Sequence, residues 1–366
     1  MKVRDVCAAL EQLAPSALAY DWDRSGLNIG EMGADVSTVL IALDVTAGAL
    51  GAAKRAKAQM IVSHHPVVWN PLKTLRTDDP HTRLCLDLAH AGIACYSAHT
   101  NLDVVPKGVN DAIAERLGLK KICPLFATPA ATQVKLVTFV PASHLAQVRD
   151  AVCRAGAGVI GAYTHCTFSA PGMGTFLPGG KAKPFSGKRN RVNEEPELRF
   201  ETLVPRARLQ GVVEALRAAH PYEEVAYDLV RLDNLDSSVG LGARGELEKA
   251  MTLDALTKLI RKKLELAYVR VVGSVRGKVI RVAVLGGSGG SEVENVPSDI
   301  DVYVTGDVRH HDALNALERG LAVVDAGHAG MEKWVLPALR DYLRPRLSGV
   351  RVIVYNEPDP FRVVTR

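Results

Sequence analysis

The stretch Ile61-Val62-Ser63-His64-His65-Pro66 places two adjacent histidines at the end of a short apolar run that begins at Met60. The apolar run predicts a buried strand, and the proline indicates where that strand ends. Each imidazole carries a donor and an acceptor that need partners, so the pair cannot enter an apolar core at low cost. Neutral imidazole is also the commonest protein ligand for metals. We therefore expect His64 and His65 to bind a metal ion.

The segments around this stretch alternate between strands and helices. The apolar pattern predicts strands at residues 39–43, 60–62, 93–98, 279–285, 301–305, 321–324 and 350–355. It predicts helices at residues 3–14, 47–58, 82–91, 109–117, 253–264 and 330–342, with Pro337 expected to kink or divide the last one. Such alternation is typical of the α/β class, with a mostly parallel sheet flanked by helices.

A region in the middle of the chain has a different pattern. Residues 133–233 predict the order strand, helix, strand, strand, helix, strand, with a basic loop or hairpin excursion at 169–199. This order is that of a ferredoxin-like α+β module. We therefore predict a discontinuous α/β domain at 1–128 and 236–366, interrupted by an inserted domain at 133–233, with a linker beginning near Cys123.

Composition limits the classes of protein that the chain can represent. Its 366 residues favour two or three domains, and 47% hydrophobic with 23% charged residues is an ordinary globular profile. The net charge of +5 is too small to predict nucleic-acid binding, and no apolar run is long enough to span a membrane. The six cysteines form no C-x-x-C pair, which argues against disulfides and thiolate zinc sites. We expect a cytoplasmic protein with reduced thiols.

Four of the predicted strands end in residues that commonly bind metals. These residues are His64 and His65, His99 with Asp103, Asp307, and Asp325 with His328. Ligands of open α/β sheets bind outside the carboxyl ends of the strands, so these ends predict a site. His328 and Glu332 are four residues apart, which puts them on one face of a helix that begins near Ala329.

The donor set indicates a dinuclear centre. Three imidazoles with two carboxylates suit two divalent ions, with Asp103 or Glu332 able to bridge them, and each ion would keep a position open for water. Because no cysteine takes part, the metal remains open among Zn, Fe, Mn, Co and Ni.

Several of these residues have alternative interpretations. His99 is a candidate proton shuttle, and it fits equally well as an outer partner of a ligand or as a substrate contact. Asp307 and Asp325 can each cap a turn instead of reaching the site. Asp312 is expected to cap a helix, which leaves His310 and His311 as minor candidates.

Two further features predict structure more than function. The glycine loop at residues 286–291 could present amides to a phosphate, but it matches no phosphate-loop pattern, and we favour a flexible turn. Trp22 and Trp69 are expected to pack against neighbours rather than to stack on a ligand.

Taken in order, these motifs resemble the Nif-three-like family of dinuclear-metal proteins, whose members are often named homologues of GTP cyclohydrolase I type 2. The resemblance covers roughly residues 1–125 and 235–366 and rests on Trp22-Asp23-x-x-Gly26-Leu27, Ser63-His64-His65-Pro66, His99-Thr100-Asn101-Leu102-Asp103, Thr305-Gly306-Asp307, His311-Asp312-Ala313 and Gly327-His328-x-x-x-Glu332. It implies that the metal ligands are His64, His65, Asp103, His328 and Glu332. Ala329 departs from the family pattern, which usually has an aromatic residue there.

The resemblance also implies an assembly. The segment from His220 to Tyr227 is similar to the extra domain of longer members, a PII-like or CutA-like ferredoxin fold, and the family implies a homohexamer.

The function that we expect is a metal-dependent hydrolase of a nucleotide or phosphorylated small molecule, with GTP cyclohydrolase-like ring opening as one version. Asp103 would bridge the ions, with His64 and Glu332 at one and His65 and His328 at the other. The alternative is a non-catalytic metal store, chaperone or sensor with a regulatory insert. Neither a membrane nor a nucleic acid is expected as a partner.

Overall fold

The chain divides into two units in the computed structural model, which describes residues 1–128 and 131–364. The main unit is formed by Met1–Thr128 together with Ser237–Arg366, and the inserted unit is Pro129–Asp236. Each unit has its own sheets and its own core.

The strands of the described residues range from 3 to 13 residues in length. In chain order they are β1 (Gly26–Ile29), β2 (Thr38–Ala42), β3 (Met60–Ser63), β4 (Ala94–Ser97), β5 (Lys120–Ala127), β6 (Thr132–Val140), β7 (Thr167–Phe176), β8 (Asn193–Pro205), β9 (Tyr227–Leu235), β10 (Gly240–Met251), β11 (Arg270–Val272), β12 (Val279–Val284), β13 (Val302–Thr305), β14 (Ala322–Asp325) and β15 (Arg351–Val354).

The helices lie between these strands. They are α1 (Val3–Leu13), α2 (Ala47–Ala56), α3 (Pro80–His90), α4 (Thr100–Asp103), α5 (Val109–Leu117), α6 (Leu145–Arg154), α7 (Leu209–Ala219), α8 (Leu253–Lys263), α9 (His310–Glu318), α10 (His328–Glu332) and α11 (Val335–Leu343). The predicted helix at 330–342 is divided between α10 and α11, but the break lies at 333–334 and Pro337 is inside α11. Within the described residues, the helices are too short or too polar to cross a membrane.

The first sheet of the main unit has the strand order β1-β4-β3-β2-β15. The pairs β4–β3, β3–β2 and β2–β15 are parallel, and β1 pairs with β4 in the antiparallel direction. Every residue of β2, β3 and β4 is buried, as expected of strands that are covered on both faces. Helix α2 begins where the Thr46 hydroxyl accepts a hydrogen bond from the Ala49 amide, at 3.1 Å.

The second sheet of the main unit has the order β11-β14-β13-β12-β10-β5. Only the two pairs among β12, β13 and β14 are parallel. The sequence predicted one mostly parallel sheet, whereas the structure has two mixed sheets. The prediction of a linker near Cys123 is also wrong, because that residue lies in β5, which pairs with β10. Lysines and a proline in a half-exposed edge strand concealed the strand pattern.

The inserted unit contains one antiparallel sheet in the order β7-β8-β6-β9. Its elements follow the order strand, helix, strand, strand, helix, strand, and α6 and α7 pack their apolar faces against it around Phe200. The basic run from Lys181 to Arg191 lies in the connection between β7 and β8.

The fold brings two sets of strand ends together in the main unit. His64 and His65 directly follow β3, while His328 begins α10 shortly after β14. The Nε2 atoms of His65 and His328 are 3.3 Å apart, so the carboxyl ends of the two sheets meet at this point.

Candidate metal centre

Four histidines converge where the strand ends meet. The ring nitrogens of His64, His65 and His99 lie within 4.8 Å of one another, and the same limit applies to the ligand atoms of His65, His328 and Glu332. His65 belongs to both groups and therefore joins them. His64 is completely buried and Glu332 is 4% exposed, so these two side chains are shielded from bulk water.

The Nδ1 atom of each of the four imidazoles is hydrogen-bonded to an oxygen atom outside the cluster. The pairs are His64 with the Ala98 carbonyl (2.9 Å), His65 with Asp44 Oδ1 (2.8 Å), His99 with Asp23 Oδ1 (2.8 Å) and His328 with Asp307 Oδ2 (2.8 Å). A carbonyl or carboxylate accepts, so Nδ1 carries the proton and donates it. The Nε2 atom of each neutral ring then presents a lone pair to the cluster, as in carboxylate–histidine–metal arrangements.

The Nε2 atoms face one another without a donor between them. His65 Nε2 and His328 Nε2 each lie 3.1 Å from Glu332 Oε2 and 3.3 Å from one another. Two lone pairs and a carboxylate oxygen repel at this separation unless positive charge lies among them. Protons on the imidazoles supply that charge in the metal-free protein. A divalent cation would supply it while accepting all three lone pairs.

The innermost histidine supports the same conclusion. His64 Nε2 is 3.7 Å from both Asp103 Oδ1 and Glu332 Oε1, which is too long for a hydrogen bond. Within the described chain, His64 Nε2 and Glu332 Oε2 are buried without a hydrogen-bond partner. Leaving a buried polar atom unpaired costs about 1–3 kcal/mol, and a bound ion would remove that cost.

The glycine loop keeps one side of the centre clear. Gly287 has a positive φ of +69°, and a Cβ atom added to it would lie 2.3 Å from Glu332 Oε1 and 3.4 Å from His328 Nε2. Any side chain here would enter the space between the ligand atoms. The loop was predicted as a flexible turn, and the structure shows a wall of the site that requires glycine.

Electrostatics at the centre favour positive charge. Burial alone would lower the pKa of His65, but hydrogen bonds with Asp44 and Glu332 raise that pKa to about 10. Glu332 likewise raises the pKa of His328 to about 9 against the effect of burial. Burial alone would raise the pKa of Glu332, yet the surrounding imidazoles hold it well below its ordinary value. The protein is therefore built to hold cationic charge beside Glu332.

The two candidate bridging carboxylates are placed differently. Asp103, at the end of α4, has one oxygen 3.7 Å from His64 Nε2, and burial raises its pKa. Glu332 lies within 3.7 Å of three imidazoles: His64, His65 and His328. Glu332 thus has the more central position of the two.

Asp23 orients His99 through a network that sequence reasoning missed. Its buried carboxylate accepts hydrogen bonds from the Thr100 hydroxyl at 2.6 Å and the Ser25 hydroxyl at 2.7 Å, besides the His99 ring. Burial alone would raise the pKa of Asp23, but hydrogen bonds from His99, Thr100 and Ser25 hold it well below its usual range.

The other missed partner is Asp44, which holds His65. It follows the buried strand β2, so the rule that pointed to the other strand ends could have identified it.

The alternative interpretations of other residues are also resolved. Asp325 faces away from the cluster: it accepts a hydrogen bond from the Gly327 amide at 3.0 Å and pairs with Arg270. Asp312 caps α9 by accepting from the Arg309 amide at 2.9 Å, and His310 and His311 are exposed outside both ligand groups. Asp307, by contrast, holds His328.

Trp22 and Trp69 pack against neighbouring rings, as predicted, but neither side chain is buried. Trp22 is 56% exposed and Trp69 is 47% exposed, and both rings lie beside His99. Both belong to segments outside the regular elements, where apolar periodicity gives no information about burial.

Nitrogen and oxygen atoms are thus the available donors, a set that suits first-row divalent metals. Chemically, such a buried His/Glu cluster can hold metal ions.

Comparisons with known proteins identify the family of the chain. The family model described as Duf34/NIF3 (NGG1p interacting factor 3) matches residues 1–360. The chain is 39% identical over 364 residues to the GTP cyclohydrolase 1 type 2 homolog of Halalkalibacterium halodurans, covering 98% of each chain. It is 38% identical over 363 residues to the protein of the same name in Bacillus subtilis, covering 98% of this chain and 97% of that one.

Among solved structures, a Bacillus cereus protein related to NIF3 superimposes with a TM-score of 0.86 at 39% identity, covering 100% of this chain and 99% of that one. A Staphylococcus aureus protein superimposes with a TM-score of 0.75 at 29% identity, with the same coverage. The match of the family model, these relatives and this fold together show that the chain belongs to the Duf34/NIF3 family.

Proposed function

We propose that this protein is a metal-dependent hydrolase that acts on a nucleotide or another phosphorylated small molecule. The observation that carries the proposal is the orientation of the imidazoles: every Nδ1 atom donates outward, and the Nε2 atoms of His65 and His328 point at Glu332 and at one another. A structural histidine does not leave its second nitrogen facing only acceptors.

The two ligand groups suggest two divalent ions, of Zn, Fe, Mn, Co or Ni. One would be held by His64, with Asp103 beside it, and would lie close to His65 and His99. The other would lie among His65, His328 and Glu332. An ion held in this way would supply Lewis-acid activation of water.

The protein's own residues would orient the attacking water and take up its proton. The Nδ1–H group of His99 donates a hydrogen bond to Asp23, so the lone pair of the ring is on Nε2. The residue is 9% exposed. It therefore has the tautomer and the access of a general base. Asp23 keeps that tautomer in place through its hydrogen bonds to Thr100 and Ser25.

Ring opening of a purine remains one specific form of the proposal. The curated relatives carry the name GTP cyclohydrolase 1 type 2 homolog, which supports a nucleotide substrate. Opening a purine ring and cleaving a phosphoester both need an activated water, so the same residues serve either reaction.

We further propose that the inserted unit is a PII-like or CutA-like domain and that the protein assembles as a homohexamer. The element order and the antiparallel sheet of the inserted unit support the first part. The assembly is tested by measuring the molar mass of the intact protein by light scattering; a stable monomer would contradict it.

The function is tested by a turnover screen of the full chain, loaded separately with Zn, Mn, Fe, Co or Ni, against nucleotides and simple phosphoesters. We expect hydrolysis that depends on the metal and is abolished in Glu332→Gln, with His90→Ala on exposed α3 as the unaffected control. Tight metal binding without turnover of any substrate would contradict the hydrolase and favour a metal store, chaperone or sensor.

A further inference from the structure

A cluster of exposed aromatic rings lies beside the candidate metal centre. Trp22 and Trp69 have ring centroids 5.8 Å apart, and each makes a T-shaped contact with His99, with centroid distances of 6.1 Å and 5.3 Å respectively. Tyr20 stacks on one face of Trp22 at 5.7 Å with an interplanar angle of 7°. We call Trp22, Trp69 and Tyr20 the aromatic platform.

The platform exposes an unusual amount of indole surface. Trp22 is 56% exposed and Trp69 is 47% exposed, and both belong to the main unit. Large aromatic side chains normally bury most of their area, and adjoining exposed ones mark a binding surface. Tyr20 stacks on one face of Trp22, and the exposed part of both indoles is available to a ligand.

The platform is held rigidly and at a fixed distance from the ligand atoms. Asp23, next to Trp22, is anchored by hydrogen bonds to the Thr100 hydroxyl and the His99 ring. The tyrosine is anchored as well, because its amide donates to the Thr100 hydroxyl at 3.1 Å. A preorganised surface loses little entropy when it binds a planar ligand.

His99 connects the platform to the candidate metal centre. Its ring centroid is 5.2 Å from that of His64 and 5.7 Å from that of His65. Its other aromatic neighbours are the two indoles. A flat ring stacked on the indoles would therefore present its edge, or a group attached to it, toward the Nε2 atoms. A substrate without a ring would make no use of this surface.

We propose that the aromatic platform stacks the planar heteroaromatic ring of the substrate, so that the preferred substrates carry a nucleobase-type ring. This inference rests on the proposed function and sharpens it: a plain phosphoester would be a poor substrate. Stacking of a base on an aromatic side chain tolerates any base, because every base has a π face. Selectivity between rings would then come from the atoms nearest His99.

The test uses the intrinsic fluorescence of the full-length protein. The chain has three tryptophans, and the third, Trp334, lies under the Arg116 guanidinium, 3.2 Å from the ring centroid. In a Trp334→Phe background, tryptophan emission therefore comes only from Trp22 and Trp69. Guanosine 5′-monophosphate is the probe, and ribose 5-phosphate is the control that lacks the ring.

We expect saturable quenching by guanosine 5′-monophosphate and none by ribose 5-phosphate. Trp22→Ala and Trp69→Ala should each weaken nucleotide binding by about tenfold, measured by equilibrium dialysis, whereas the Phe variants should keep most of it. Tyr268→Ala removes an equally exposed ring elsewhere in the main unit and should change nothing. Thermal melting of each variant establishes that it is folded.

Three results would overturn the inference: quenching by ribose 5-phosphate equal to that by the nucleotide, unchanged nucleotide affinity in both alanine variants, or no saturable quenching. Loss of oligomeric mass in Trp22→Ala without nucleotide binding to the parent would assign the platform to contacts with a second copy instead.

The inference and the proposed function can fail separately, because stacking needs no metal and is measured in chelator-treated protein as well. If simple phosphoesters are hydrolysed while no nucleotide binds, the inference falls and the hydrolase stands. If nucleotides bind the platform without any metal-dependent turnover, the inference stands and the hydrolase falls.

Discussion

Histidines of the two units are held in opposite ways. In the inserted unit, His220 has both ring nitrogens hydrogen-bonded: Nε2 donates to the Phe139 carbonyl at 3.0 Å, and Nδ1 accepts from the Tyr222 amide at 3.2 Å. In the main unit, His65 and His328 donate through Nδ1 but turn Nε2 toward another acceptor.

The difference separates a structural histidine from a candidate metal ligand. His220 and His65 are both largely buried, so burial alone does not distinguish them. The pKa values do differ in direction: burial lowers the pKa of His220, whereas the carboxylates around His65 raise its pKa to about 10. A buried histidine whose second nitrogen faces only acceptors indicates a cation site.

The largest expected effect comes from removing the histidine shared by both ligand groups. His65→Ala should abolish stoichiometric binding of Zn²⁺, measured by competition with a chromophoric chelator, because each group loses a ligand. His220→Ala should leave metal binding unchanged. It should instead lower the free energy of unfolding by roughly 1–3 kcal/mol, because it leaves the Tyr222 amide and the Phe139 carbonyl unpaired.

The next effect tests the wall of the centre. Gly287→Ala would place a methyl group against Glu332 and require a positive φ, so we expect loss of metal binding together with destabilisation. Gly118→Ala is the matched control, since Gly118 also has a positive φ, of +81°, but nothing lies within 4 Å of its added Cβ. Equal metal affinity in the two variants, measured by calorimetry, would contradict the role of Gly287.

A smaller effect is expected from the outer carboxylates. Asp44→Ala and Asp307→Ala each remove the acceptor that fixes a histidine tautomer, and loss of such a partner typically costs 10–100-fold in metal affinity. Asp44→Ala should have the larger effect because His65 belongs to both groups. The Asn variants keep an acceptor oxygen and should retain more affinity in the same chelator competition. Unchanged affinity in both alanine variants would show that the tautomers need no outer support.

The smallest effect is a pH dependence in the inserted unit. Because the pKa of His220 is lowered on folding, the native state binds fewer protons than the unfolded chain. The contribution of His220 to the free energy of unfolding is therefore constant above the unfolded pKa of about 6.5. It falls as the pH decreases through that value. We expect the melting temperature of His220→Gln to depend less on pH than that of the parent between about pH 7 and about pH 5. Parallel melting curves would contradict the assignment.

Sequence reasoning succeeded where the information is local. The apolar run before His64 predicted a buried strand, and the structure has β3 there with all four residues buried. Likewise, the spacing of His328 and Glu332 predicted a shared helix face, and their ligand atoms are 3.1 Å apart across one turn of α10. The polar residues at the ends of the strands therefore indicated where the side chains of the site would come together.

Long-range pairing was beyond the sequence. Strand β5 pairs with β10, more than a hundred residues away in the chain, and no local pattern selects that partner. The division into two sheets followed from such choices and was missed. Exposure of Trp22 was missed for a related reason: its surroundings are set by His99 and Trp69, which distant parts of the chain supply.

The most direct test of the central claim is an anomalous difference map from crystals of the full chain, measured on both sides of the absorption edge of the metal found by elemental analysis. We predict a peak bounded by the Nε2 atoms of His65 and His328 and by Glu332, with a second peak beside His64 Nε2 and Asp103. A map without anomalous density at either position, from crystals grown with added divalent metal, would contradict the account.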